Sequence, residues 1–235
     1  MKKLVLIAAA FVLMLPAAFA QKGLHAGLKV TPASVWMFNS SDSDEAGRFD
    51  FVSTIGYSLG GSFNYHFTDG FGAGFDLLYS SQGQKFTSLG VEGKRSLNYL
   101  KVPILIHFNT NSDAVAYFQG QLGVQLGFLT GSSLKDADGN ETGAVGTIIA
   151  APKDAYNSMN LGIVFGFGVG FNVHENFKIH AGFRLDGAFA DAEDKEYAPL
   201  GVPFWSAFPG GLGRAVTRNV TGGVELGFIY VLPID

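Results

Sequence analysis

The chain has 235 residues, a formal charge of −4 and no cysteine. A mildly acidic chain is a poor match for nucleic acid, and the missing thiols exclude a disulfide framework, a lipoprotein anchor and thiol catalysis. Gly and Phe are both abundant (32 and 22 residues), which is unusual for a soluble α/β domain and suits a wall of strands that shows aromatics to lipid while glycine lets the wall bend.

Lys2 and Lys3 precede an apolar run, Leu4–Leu15, that Pro16 ends; Ala18-Phe19-Ala20 follows. This order predicts a secretory signal peptide over residues 1–20, too short to be a spanning helix, with one domain from Gln21 to Asp235. Loss of Lys2 and Lys3 takes the formal charge from −4 to −6.

Downstream, hydropathy alternates with period two, the mark of strands with two unlike faces. The first, Gly23 to Phe38, is the least regular: Leu28, Val30 and Trp36 oppose His25 and Lys29. The second sets Phe51, Ile55, Tyr57, Leu59, Phe63, Tyr65 and Phe67 against Thr54, Ser58, Ser62, Asn64 and His66. The third, Gly70 to Phe86, carries Asp76 and Ser80 on its polar face. The fourth, Asn98 to Phe108, opposes Tyr99, Lys101 and His107 to five aliphatic or aromatic residues, and Pro103 within it predicts a local bulge. The fifth, Val115 to Leu129, has Gln119, Gln121 and Gln125 on its polar face.

The sixth strand is the clearest. From Met159 to Val173 every second residue is large and apolar, and between them stand Asn160, Gly162, Val164, Gly166, Gly168, Gly170 and Asn172. The seventh, Phe177 to Ala190, puts Lys178, His180, Arg184 and Asp186 on one face. The eighth, Val216 to Leu232, does so with Thr217, Asn219, Thr221 and Glu225.

Short connections (Thr68–Gly70, Asn109–Ala114, His174–Asn176) alternate with long ones (Asn39–Asp50, Thr87–Leu97, Thr130–Ser158, Asp191–Ala215). Together these features predict an all-β fold, an eight-stranded antiparallel up-and-down transmembrane β-barrel, in the outer membrane of a Gram-negative bacterium with both mature termini in the periplasm. A soluble eight-stranded barrel would invert the two faces; the signal peptide, the loop alternation and the density of Phe favour the membrane version.

Two segments resemble a known family. Asp76-Leu77-Leu78-Tyr79-Ser80-Ser81-Gln82-Gly83 and Asn98-Tyr99-Leu100-Lys101-Val102-Pro103-Ile104-Leu105, with the glycine-rich sixth strand, are similar to the PorT-like outer-membrane β-barrels of Bacteroidetes. The resemblance implies the fold and the location, and no single activity. It also brings a second functional expectation, an accessory role in a protein-secretion or gliding apparatus.

An eight-stranded barrel is just wide enough for side chains to fill it. Counting heights along the strands puts Lys29, Asp76, Arg184, Asp186 and Glu225 in one layer, a lumen charge network in which every charge needs a partner, with Lys29 expected against Glu225. His25, His66, His107 and His180 fall low in the lumen, without the spacing of a metal site. No G-x-S-x-G occurs and the long loops contain no His, so no loop-borne triad is expected, nor any cofactor or metal. Asp136–Glu141 reads as an Asp-Gly turn at a solvated tip rather than a calcium loop.

The last long loop carries Leu200, Val202, Phe204, Trp205 and Phe208 among three prolines. So apolar a loop folds over the barrel mouth, meets a partner, or is disordered. The functional expectation is a small, closed, non-enzymatic, monomer-sized barrel that contacts outer-membrane lipid and acts through its surface loops in envelope structure, adhesion or complex assembly. A barrel enzyme acting on lipid or peptide is the remaining expectation.

Overall fold

Strand-forming alternation of this length closes into a barrel because a cylinder leaves no unpaired edge in hydrocarbon. The computed structural model describes residues 23–43, 49–88, 90–110, 114–145, 148–149, 152–198, 204 and 213–232. The predicted signal peptide lies outside them.

The strands are β1 (Leu24–Phe38), β2 (Phe49–Val52), β3 (Thr54–His66), β4 (Phe71–Ser88), β5 (Val91–Asn109), β6 (Ala116–Asp136), β7 (Ala144–Val145), β8 (Ile148–Ile149), β9 (Met159–His174), β10 (Phe177–Ala188) and β11 (Arg218–Leu232). β7 and β8 form a small separate hairpin. The others run β2-β4-β3-β1-β11-β10-β9-β6-β5, and β5 returns to β4 to close the wall. β2 continues the line of β3 past Ser53 along the same neighbour, β4, so the barrel has eight staves, all antiparallel.

The faces divide as the alternation requires. Leu59, Phe75, Ile104, Leu122, Phe165 and Phe228 are exposed on the outer wall, while His66, Asp76, Lys101, Gln121, Arg184 and Glu225 are buried within. The glycine alternation of β9 has a packing cause. A side chain at Gly166 would come within 2.5 Å of Gln121 Nε2, and one at Gly170 would run into the Tyr117 ring. β9 gives up volume so that β6 can fill the lumen.

Three sequence expectations are corrected. The predicted loop Thr87–Leu97 is largely strand: β4 and β5 stay paired as far as Ser88 and Val91, and Gly90 has φ of 78°. The predicted loop Thr130–Ser158 begins as strand, because β6 stays paired with β5 to Asp136. Pro103 makes no bulge. The register around it is unchanged, with pairing to β4 skipped only opposite Asp76 and Leu77, and the bulge lies at Asn98/Tyr99. Pro32 leaves the same two-residue gap in the β1–β11 ladder, for the same reason: its nitrogen has no hydrogen to donate.

Candidate functional site

β1, β4, β5, β10 and β11 each deliver charge to one level of the lumen. Lys29 Nζ lies 3.0 Å from Asp76 Oδ2 and 3.9 Å from Glu225 Oε1. Arg184 reaches Asp76 at 3.2 Å, Glu225 at 3.0 Å and Asp186 at 2.8 Å. Lys101 donates to Asp186 at 3.0 Å, and Gln121 to Glu225 at 2.8 Å. Asp76 and Glu225 are 0 % exposed, so these contacts stand in for hydration, although Asp76 Oδ1 and one terminal nitrogen of Arg184 are buried without a hydrogen-bond partner.

The structure therefore brings together Lys29, Asp76, Arg184, Asp186 and Glu225. It adds Lys101, which the sequence placed on the inner face but not in the layer. With Lys101 the network holds three carboxylates and three cations, an even balance. Lys29 is closer to Asp76 than to its expected partner Glu225. Its direct neighbour on β11 is Gly227, two residues from Glu225, and Arg184 takes the Glu225 carboxylate instead.

Toward the short-turn end the histidines do converge. The His25 and His66 rings stack at 4.3 Å, and His66 and His107 lie 6.1 Å apart. His107 Nε2 meets Asn64 Oδ1 at 2.9 Å, and His180 Nε2 approaches Glu225 at 3.7 Å. His174 is exposed at the β9–β10 turn. Among the described residues, no group of three or more His, Asp or Glu is placed to hold a metal ion.

Toward the long-loop end the lumen narrows to a cavity of about 10 Å³, bordered by Gln82, Lys101, Gln125 and Asp186, room for about one water. Above it Asn219 donates to the Tyr99 hydroxyl at 3.2 Å. Met37, Phe86, Leu97, Tyr99, Leu129, Leu134, Val145, Ala155 and Tyr156 then form an apolar plug.

Phe204 packs on that plug, with its ring 6.1 Å from Tyr197 and its N–H donating to the Tyr197 carbonyl at 2.8 Å. Leu200, Val202, Trp205 and Phe208 lie outside the described residues. The plug and loops are fastened by ions. Arg214 donates to Glu193 at 2.8 and 3.0 Å and to Asp42 at 2.6 Å, and Lys195 donates to Glu193 at 2.6 Å.

Burial alone would raise the Glu193 carboxyl; its bonds to Arg214 and Lys195 hold it below the usual range instead. At Asp42 burial prevails and the carboxyl is raised. Burial pushes the Tyr156 hydroxyl up to about 12. Asp136 forms the expected tip turn: Asn140 N–H donates to its carboxylate at 2.8 Å, and Gly139 has φ of 86°.

A cylinder of eight antiparallel strands, greasy outside and packed with paired charges inside, is a small membrane-spanning β-barrel. The chain belongs to the outer membrane protein beta-barrel domain family, which matches residues 19–192. Its place is the outer membrane of a Gram-negative bacterium, with the outer wall against lipid.

Among solved structures it is similar to Neisserial surface protein A (13 % identity, 89 % of this chain and 97 % of that one, TM-score 0.46). It is also similar to OprG of Pseudomonas aeruginosa (14 %, 92 % and 99 %, 0.45). Ail of Yersinia pestis, in complex with the heparin analogue sucrose octasulfate, is a third (16 %, 90 % and 100 %, 0.42). Comparison with curated proteins gives no match.

Proposed function

We propose that this protein is a closed, non-conducting and non-enzymatic outer-membrane barrel that works through its long-loop end, in envelope structure, adhesion or the assembly of a larger complex. The observation that carries the reading is the double seal of the lumen. The six-charge layer fills the middle and the apolar plug fills the long-loop end, with a cavity of about 10 Å³ between them.

In this reading the signal peptide is removed, both mature termini lie in the periplasm, and the long loops face outward from a monomer. The Asp76–Gly83 and Asn98–Leu105 segments support a place in the PorT-like group. Each acid in the layer is bound by a cation of the same layer, which supports a structural role for these charges.

The test is electrical. Purified protein reconstituted in planar bilayers is expected to show no steady conductance. A stable nanosiemens channel from monomers overturns the proposal. Crosslinking in native membranes through a cysteine at the loop tip (Asp138→Cys) then reports what the long-loop end touches.

A further inference from the structure

On the outer wall of the long hairpin three lysines stand side by side. Lys85 on β4 is directly opposite Lys94 on β5, and Lys94 is directly opposite Lys135 on β6. Like charges directly opposite on neighbouring strands destabilise a sheet, so the arrangement calls for a counter-charge. Glu141 is bridged directly opposite Lys135 at the end of the stripe, yet none of the three lysines lies within salt-bridge distance of a carboxylate among the described residues, and Glu92 and Asp50 are exposed further out.

The position of the stripe narrows the counter-charge. Tyr57 and Tyr79, rings 6.3 Å apart and exposed on the outer wall, mark the aromatic rim of the apolar band. Lys85 lies further along β4 than Tyr79, about 15 Å up a tilted wall. Lys94 bends back toward the rim: its ammonium donates to the carbonyl of Ile55 at 3.3 Å, and Ile55 is 81 % exposed. The chain thus crosses β4 to place a cation where hydrocarbon gives way to head groups. Burial, with Lys135 and Lys85 alongside, lowers its hold on the proton, and a bound anion would restore it.

We propose that Lys85, Lys94 and Lys135 form a binding site for the phosphate groups of a phosphorylated outer-leaflet glycolipid. Three ammonium groups on one face of three adjacent strands match clustered phosphate oxygens. The apolar wall below, with Tyr57, Tyr79 and Leu100, receives the acyl chains of the same molecule. A soluble polyanion would use the lysines but not that wall. The assignment to the outer leaflet rests on the orientation proposed above.

The experiment uses the full mature chain in neutral detergent micelles, with fluorescent bisphosphorylated lipid A as probe. Wild type is expected to bind it at least tenfold more tightly than enzymatically dephosphorylated lipid A. The K85Q/K94Q/K135Q variant is expected to lose at least tenfold in affinity. Equal affinity of the variant overturns the site, and so does competition by pyrophosphate at the same concentration as unlabelled lipid A, which assigns the lysines to soluble anions.

The variant is also expected to melt no lower than wild type without lipid, since it relieves repulsion. A lower melting temperature makes the lysines structural and overturns the proposal. Labelling of Asp138→Cys in intact cells by an impermeant maleimide checks orientation separately. Binding in micelles does not depend on orientation, so the two failures are distinguishable.

Discussion

Lys101 on β5 reaches across the lumen to Asp186 on β10, with Nζ 3.0 Å from Oδ2. That contact balances the layer, because Arg184 alone would have to serve Asp76, Asp186 and Glu225 with Lys29 as its only help. Replacing Lys101 by Met leaves Asp186 on Arg184 only. The expected cost is about 3 kcal/mol in equilibrium unfolding from lipid vesicles, and K101M/D186L is expected to recover much of it.

The glycine positions give a paired prediction. Gly166→Ala pushes a methyl against Gln121 Nε2, which is already committed to Glu225 at 2.8 Å. The expected loss is about 1–3 kcal/mol, mostly restored by adding Gln121→Ala. Gly120→Ala, where the nearest atoms stand 4.0 Å away, is expected to be neutral or slightly stabilising in the same denaturation assay.

Acid is expected to loosen the long-loop cap. Glu193 is held below its ordinary 4.5 in the folded protein, so its contribution is fully present above that pH and is lost as pH falls through the depressed value. Asp42 is raised from 3.8 and acts in the opposite direction, offsetting part of the loss. Hydrogen exchange at Ala192 and Asp194, whose amides donate to Thr217 and Ala155, is the measurement, corrected for intrinsic rates. Protection is expected to fall below about pH 4.5 in wild type and to hold or rise slightly in Glu193→Gln, where the opposing effect of Asp42 remains and which starts about 2 kcal/mol less stable.

The aromatic loop is expected to cap the mouth. Phe204 already rests on the plug, so its neighbour Trp205 is expected to be shielded from acrylamide in a Trp36→Phe background, in the isolated protein. Phe204→Ala is expected to unmask Trp205 and to cost about 1.5 kcal/mol. Free quenching in wild type would refute the cap.

Period two made the staves legible wherever one face meets hydrocarbon, as in Met159–Val173. It failed in the β4–β5 hairpin beyond that band. Around Lys94 and Ser96 the outward positions carry polar residues, so apolar alternation no longer marks the strand. The same miss left Lys101 out of the predicted layer. A strand taken to begin at Asn98 has Lys101 three residues from its start, whereas β5 begins at Val91 and has it near its middle. Parity showed that the histidines point inward, but the ring stacking of His25 on His66 depends on shear between β1 and β3, which no single segment encodes.

The charge layer also says something about how the barrel is made. Lys29 is on β1 and its acids are on β4 and β11; Arg184 on β10 needs β4 and β11 as well. Arg184 has Asp186 on its own strand and Glu225 on the next, but the contacts of Lys29 with Glu225 and of Arg184 with Asp76 join the first staves to the last and need β1 beside β11. Closure of the wall and completion of these contacts are thereby one event. A half-built cylinder lacks the contacts that join its first staves to its last, and its central charges are fully paired only in the finished barrel.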